Sequence, residues 1–200
     1  MLEVPKLTEI KLLVICGPSG SGKSYLEKNL CSELPQYFRK LPQVTTRKPR
    51  NEEEQGNPYL FINKSTYEFI KDKLIGRIMS DDFLSTNYGT IPDFDKGYIN
   101  TIILSKEAII DLQNHIAIKE APFNGETTVN LFILGLDIEF EDLSREARAV
   151  RANRDKNFFD KEKEVFEYCH YINKTENGKY LNPNDILEII LNHRKSLLKF

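Results

Sequence analysis

An apolar run, Leu12-Leu13-Val14-Ile15-Cys16, leads straight into GPSGSGKS, Gly17 to Ser24, and that loop leads into Leu26, Leu30 and Leu34 at helical intervals. Strand, glycine loop and helix in direct succession constrain the fold more than any other feature of the chain. Glycines let the backbone curl until successive N–H groups converge on one anion, and the start of the helix adds the positive end of its dipole. The spacing is one glycine, four residues, then Gly22-Lys23-Ser24. In such a phosphate-binding loop the lysine supplies a mobile charge and the hydroxyl a ligand for magnesium. A Gly/Ser-rich turn with a chance lysine is the bland alternative, and the flanking strand and helix argue against it.

The rest of the chain alternates in the same manner. LPQVTT reads as a short extended segment, RKPRNEEEQGNP as a turn-rich loop, and YLFI as a strand. Ser65 with Glu68 has the spacing of a capping box opening the helix TYEFIKDKL, which Gly76 is expected to end. The stretch RIMSDDFLSTNYGTIPDF carries strand-like pieces between polar turns, the texture of a small antiparallel sheet over a cleft. YINTIIL reads as a buried strand, KEAIIDLQNH as its helix, NLFILGL as another core strand and YCHYIN as a last one. The closing helix LNPNDILEIILNHRKSLL has Asn182 as its cap and Pro183 in its first turn. Strands alternating with helices predict an α/β fold with a mostly parallel central sheet flanked by helices. Residues 1–40 and 97–200 are expected to form the core, with 41–96 a small inserted lobe, all within one domain.

Between Glu139 and Phe166 the chain is charged and helix-prone, and Arg145, Arg148, Arg151 and Arg154 recur at every third residue. On a helix such residues drift by only about 60° each, so the four share one broad face able to meet phosphates. A solvated charged helix is the competing reading.

The formal net charge of −2 gives no global attraction for nucleic acid, and none is expected as a partner. MLEVPKLTEI lacks the apolar stretch of a signal peptide and no run approaches a membrane span, so a soluble cytoplasmic protein is expected, as monomer or homodimer. Cys16, Cys31 and Cys169 lack metal-ligand spacing and read as unpaired thiols. His115, His170 and His193 read as surface or structural residues.

The segment TTRKPRNEEEQGNPYLFINKSTYEF resembles guanylate kinase, in which the loop GPSGSGKS is followed by TTR-x-PR, a Gly-Glu turn, a Gly-x-x-Tyr-x-Phe stretch and a later Tyr-Gly-Thr. Here these are Thr45-Thr46-Arg47-Lys48-Pro49-Arg50, Glu53, Gly56 with Tyr59 and Phe61, and Tyr88-Gly89-Thr90. The resemblance runs from about Lys11 to Thr90 and implies a P-loop kinase fold with an inserted monophosphate-binding lobe and an Arg-rich lid at about 139–160. It implies ATP as phosphoryl donor, Mg2+ as cofactor and a nucleoside monophosphate, GMP or dGMP foremost, as acceptor. Gly17, Pro18, Ser19, Gly20, Ser21, Gly22, Lys23, Ser24 and Tyr25 would hold ATP, with Asn173 at the adenine and Ser24 at the metal. Arg47 and Arg50 would grip the acceptor phosphate bidentately, helped by the Tyr59 and Tyr88 hydroxyls. Lys23, with Arg145, Arg148 and Arg151 closing from the lid, would stabilise the migrating phosphoryl group. Glu53, Gly89 and Thr90 complete the acceptor set.

The departures from the family pattern gather at the base. Gln43 stands where a serine is expected before TTR, and Ser105 where an aspartate ends the next core strand, with Glu107 two places on. The family's glutamate corresponds to Met79, Ser80 or Asp81, of which only Asp81 is a carboxylate able to accept two donors. A site built to hydrogen-bond one base rejects another strongly, so these changes bear on preference. A kinase of a different nucleotide or a sugar phosphate, and a protein-binding module without activity, are the competing readings; an intact Lys23 and Ser24 favour the kinase.

Overall fold

The computed structural model describes residues 8–49, 58–79, 86–119, 122–123, 127–138, 156–174 and 181–197. Its central strand is β1 (Thr8–Cys16), whose residues from Leu12 to Cys16 are almost wholly inaccessible to solvent. A strand covered on both faces reads as a continuous apolar run, and this is why no polar alternation marks it. Alternate side chains nonetheless go to opposite layers. Leu12, Val14 and Cys16 pack with Ile102, Leu104, Ile109 and Leu112, whereas Leu13 and Ile15 pack with Leu26, Leu30 and Ile186.

The helix α1 (Lys23–Glu33) follows the glycine loop, then β2 (Phe38–Lys40) and β3 (Gln43–Thr45). Beyond residue 57 come β4 (Leu60–Phe61), α2 (Lys64–Ile70) with a 3₁₀ turn at Lys71–Lys73, β5 (Ile75–Met79) and β6 (Asn87–Thr90). Then β7 (Ile99–Ile103), α3 (Lys106–Ala117) and β8 (Thr127–Asp137) return to the core. The chain closes with α4 (Lys156–Glu162), a 3₁₀ turn at Lys163–Tyr168, β9 (Tyr171–Lys174) and α5 (Pro183–Leu197).

Among the described residues these strands form two sheets. The main sheet is parallel throughout, in the order β2-β7-β1-β8-β9, with helices on both faces. The second has the order β4-β3-β6-β5. Its strands β5 and β6 pair antiparallel, as expected of RIMSDDFLSTNYGTIPDF, and β3 joins them antiparallel to β6 while running parallel to β4. Two expectations need correcting. The cap of α2 is Asn63, whose side chain accepts from the Thr66 N–H at 2.8 Å, while Ser65 lies inside the helix and donates to Asn63 Oδ1. Asn63 wins because it directly precedes the first helical residue with extended backbone, the geometry a cap requires. Gly76 does not end a helix but lies within β5, at φ 57°, where a Cβ would stand 3.0 Å from the Leu104 side chain. The short edge strand β2 was not foreseen, because three residues carry too little periodicity to register.

Where β5 meets α3 the two sheets are joined. Arg77 donates from its main-chain N–H to Asp111 Oδ2 at 2.8 Å and from its guanidinium to Asp111 Oδ1 at 3.0 Å. His115 Nδ1 lies 2.8 Å from the Asp111 carbonyl oxygen one turn earlier, which makes this histidine structural, as expected. The closing helix begins as expected too, with Asn182 Oδ1 accepting from the Asp185 N–H at 3.0 Å. Among the described residues no helix is long and apolar enough to cross a membrane.

Candidate active site

The glycine loop is held by contacts that only glycine permits. Gly17 has φ 137°, and a Cβ there would stand 2.4 Å from the Leu136 carbonyl oxygen on β8. Gly22, at φ 81°, is the N-cap of α1, which has no side-chain cap and no acidic residue in its first turn. A helix start left in this state presents its amides and dipole to an anion. Lys23 Nζ folds back to donate to the carbonyl oxygens of Gly17 and Pro18 at 2.8 and 2.6 Å, so its charge stands over the loop. Ser24 and Tyr25 are exposed beside it.

One anion already meets the loop. The Ser19 N–H donates to Glu162 Oε2 at 2.8 Å, from the end of α4. No sequence signal singles out Glu162 within the charged run DKEKE, since the contact spans 143 residues. Close by, Asp137 at the end of β8 pairs with Lys163 at 2.8 Å. Asn173 on β9 is aligned with Leu136, and its buried amide Nδ2 has no hydrogen-bond partner among the described residues. A buried amide left so is costly, and it suits a site where a polar ligand completes it.

Facing the loop across a cavity of about 240 Å³ are side chains from the second sheet and from the end of β7. Gly17, Ser19, Lys23 and Glu162 line one side, and Gln43, Tyr59, Tyr88, Gly89 and Ser105 the other. Tyr59 and Tyr88 meet edge to face with centroids 5.7 Å apart. The Arg47 guanidinium lies 5.6 Å from the Tyr59 ring centre and 5.4 Å from that of Phe61, a cation–π arrangement that holds it against a ring lining the cavity. Phe61 was not foreseen as part of this support. Arg47 also donates to the Lys48 carbonyl oxygen at 2.8 Å.

Several expected site residues have structural work of their own. Gln43 is buried, and its Nε2 donates to the Ile103 carbonyl oxygen at 3.0 Å and toward Thr90 Oγ1 at 3.4 Å, bridging the two sheets. Thr90 is fully buried beneath it. Gly89 is pressed against Leu74, where a Cβ would come within 2.7 Å of a methyl carbon. Ser105 is the N-cap of α3 and donates to Glu107 Oε2 at 2.7 Å. Arg50, Glu53, Asp81, Arg145, Arg148, Arg151 and Arg154 lie outside the described residues, as does most of the expected lid.

Residues 9–120 match the guanylate kinase family model, over half of the chain. The chain belongs to the guanylate kinase family. It is 33% identical over 134 residues to a guanylate kinase of Chlamydia felis, an alignment covering 64% of this chain and 60% of that protein. With a guanylate kinase of Clostridium acetobutylicum it shares 29% identity over 182 residues, covering 88% of this chain and 79% of the relative. The match to the relative in Oleidesulfovibrio alaskensis takes in only 30% of that protein, at 39% identity. Among solved structures, the guanylate kinase from Anaplasma phagocytophilum superposes with a TM-score of 0.52 over 98% of this chain and 89% of its own, at 15% identity, which shows a shared fold. The matched residues of this guanylate kinase family member contain β1 from Glu9 onward, the glycine loop, the whole second sheet and α3.

Proposed function

We propose that this protein transfers the terminal phosphate of ATP to a nucleoside monophosphate, with GMP or dGMP the leading acceptor, yielding the diphosphate. The observation that carries the reading is the single cavity lined on one side by Gly17 and Lys23 and on the other by Tyr59 and Tyr88. Two phosphates approach one another only if their charges are met by fixed donors, and the chemistry needs little else beyond alignment. Lys23 supplies the mobile cation and the curled amides the fixed dipoles. Arg47, backed by Tyr59 and Phe61, supplies a planar guanidinium for the acceptor, with Arg50 expected beside it. The segment 41–96, which contains the second sheet, serves in this reading as the acceptor lobe, and the arginines from 145 to 154 as the lid. Asn173, with its unmatched amide, serves at the adenine.

Magnesium fits this donor set as a passenger of the nucleotide. Ser24 offers an exposed hard oxygen at the head of α1, and among the described residues no group of three or more His, Cys, Asp or Glu forms a cage for an ion. When bound with the nucleotide, the ion would be held by the Ser24 hydroxyl and would offset the phosphate charge.

The base is where the acceptor is decided. Gln43 and Ser105 line the cavity where family members carry guanine-reading groups, yet the Gln43 amide hydrogens are directed to Thr90 and Ile103 and Ser105 caps a helix. A panel of ribo- and deoxyribonucleoside monophosphates and sugar phosphates, assayed for ADP release, tests the reading. Turnover with GMP or dGMP above the others supports it; turnover confined to another acceptor moves the specificity. Nucleotide binding without turnover on any acceptor favours a protein-binding module.

A further inference from the structure

Two of the three cysteines meet beneath the phosphate-binding loop. Cys16 ends β1 immediately before Gly17, and its Sγ lies 3.3 Å from the Sγ of Cys169, which stands between the last 3₁₀ turn and β9. They reach each other across β8 because the residue of that strand aligned with Cys16 is Gly135. A Cβ at position 135 would come within 2.9 Å of the Cys169 sulfur, so any side chain there would push the pair apart. We propose that Cys16 and Cys169 form a thiol oxidation site that closes to a disulfide under hydroperoxide and thereby disables the phosphate-binding loop.

The two sulfurs have different parts. Cys16 is fully buried, while Cys169 is half-buried and reachable. The hydrogen bond between them raises Cys16 above the ordinary thiol range, with burial adding to the effect, and the same bond lowers Cys169 against its own burial. Both effects favour the thiolate, which is the nucleophilic form, on the less buried Cys169. Cys169 attacks one oxygen of the hydroperoxide: an S–O bond forms, the O–O bond breaks, and the alcohol leaves with a proton from water. Cys16 then attacks the sulfenic sulfur, the S–S bond forms, and the hydroxide leaves as water with the Cys16 proton. Two thiols are oxidised by two electrons and one peroxide bond is reduced.

The bond would act on the loop through Gly17. Sulfurs at 3.3 Å must approach to about 2.05 Å, and the movement falls on the residue that precedes Gly17, which has no slack against Leu136. This consequence rests on the nucleotide reading given above; the sulfur chemistry does not.

The test treats the reduced full-length chain with one equivalent of hydrogen peroxide, alkylates what remains, and maps the peptides. The expected product is a Cys16–Cys169 linked peptide lighter by two hydrogen atoms, with Cys31, which sits on α1 beside Thr101, still alkylated. ATP binding measured by titration should be lost on linking and regained with dithiothreitol, whereas Cys169→Ser should keep it under peroxide. Gly135→Ala, a second probe that retains both thiols, should suppress the linked peptide. Over-oxidation of Cys169 without a link, a link through Cys31, or a linked protein that binds ATP as the reduced one does overturns the proposal. A reduced protein that binds no ATP counts against the nucleotide reading only, and the linked peptide then still decides the oxidation site.

Discussion

The two sides of the cavity are made in different ways. On the loop side, eight consecutive residues place main-chain amides and one lysine, and the glycines hold conformations that side chains rarely adopt. On the opposite side, Gln43, Arg47, Tyr59, Tyr88 and Ser105 come from segments tens of residues apart and act through side chains. A site made of backbone is hard to retune, because every chain has the same amides. A site made of side chains changes its preference with a few substitutions. Under the proposed function, that contrast allows the glycine loop to stay intact while the opposite side changes.

The contrast is open to measurement. Lys23→Ala should leave the fold in place and lower kcat by about a thousandfold, the scale for a preorganised charge at a developing anion; steady-state turnover with circular dichroism as the folding control checks this. Gly17→Ala should instead damage the scaffold, by about 3 kcal/mol in chemical unfolding, since it adds both a disfavoured φ and a clash with the Leu136 carbonyl. Were Gly17→Ala harmless, the loop side would not be backbone-limited. Next in size, Arg47→Ala should raise the acceptor KM about thirtyfold, as for a lost charge-assisted hydrogen bond, and leave the ATP KM unchanged. An equal rise in both constants would erase the distinction between the sides.

Glu162→Ala sharpens the comparison from the loop side. Its carboxylate holds the Ser19 N–H, which a nucleotide phosphate would have to take over. Removing it should tighten ATP binding by roughly fivefold, read by titration. The smallest effect belongs to pH. His170 Nδ1 accepts the Ile133 N–H at 2.9 Å, and partial burial of the ring, with His193 adding to it, lowers its pKa from the ordinary value. The folded state therefore binds the proton less well than the unfolded chain does. Its contribution to stability is complete above the unfolded value of about 6.5 and is lost as pH falls below that toward the folded value. His170→Asn should flatten the slope of stability against pH over that window, in urea titrations.

Much of this was legible before any coordinates. The strand, glycine loop and first helix follow from consecutive residues, the TTRKPR segment and its continuation point to Arg47 and Tyr59, and the later Tyr-Gly-Thr to Tyr88. The cap of α2 was misplaced by two residues because Ser65 with Glu68 satisfies the spacing of a capping box as well as Asn63 satisfies the geometry of a cap. Gly76 was read as a helix end because a glycine after a helical run most often is one; only the approach of Leu104 and Ala108 shows why it sits in a strand.

By itself, the sequence determined the glycine loop between strand and helix, since the φ/ψ freedom of glycines and the start of a helix are properties of neighbours along the chain. The tertiary structure decided what meets that loop: Glu162 on the Ser19 amide, Cys169 beside Cys16 across the gap at Gly135, and the Gln43 amide turned toward β6 and β7. Those contacts join residues 143, 153 and 47 to 60 positions apart. No local propensity encodes them, because they exist only once the parallel sheet has brought its strands into register.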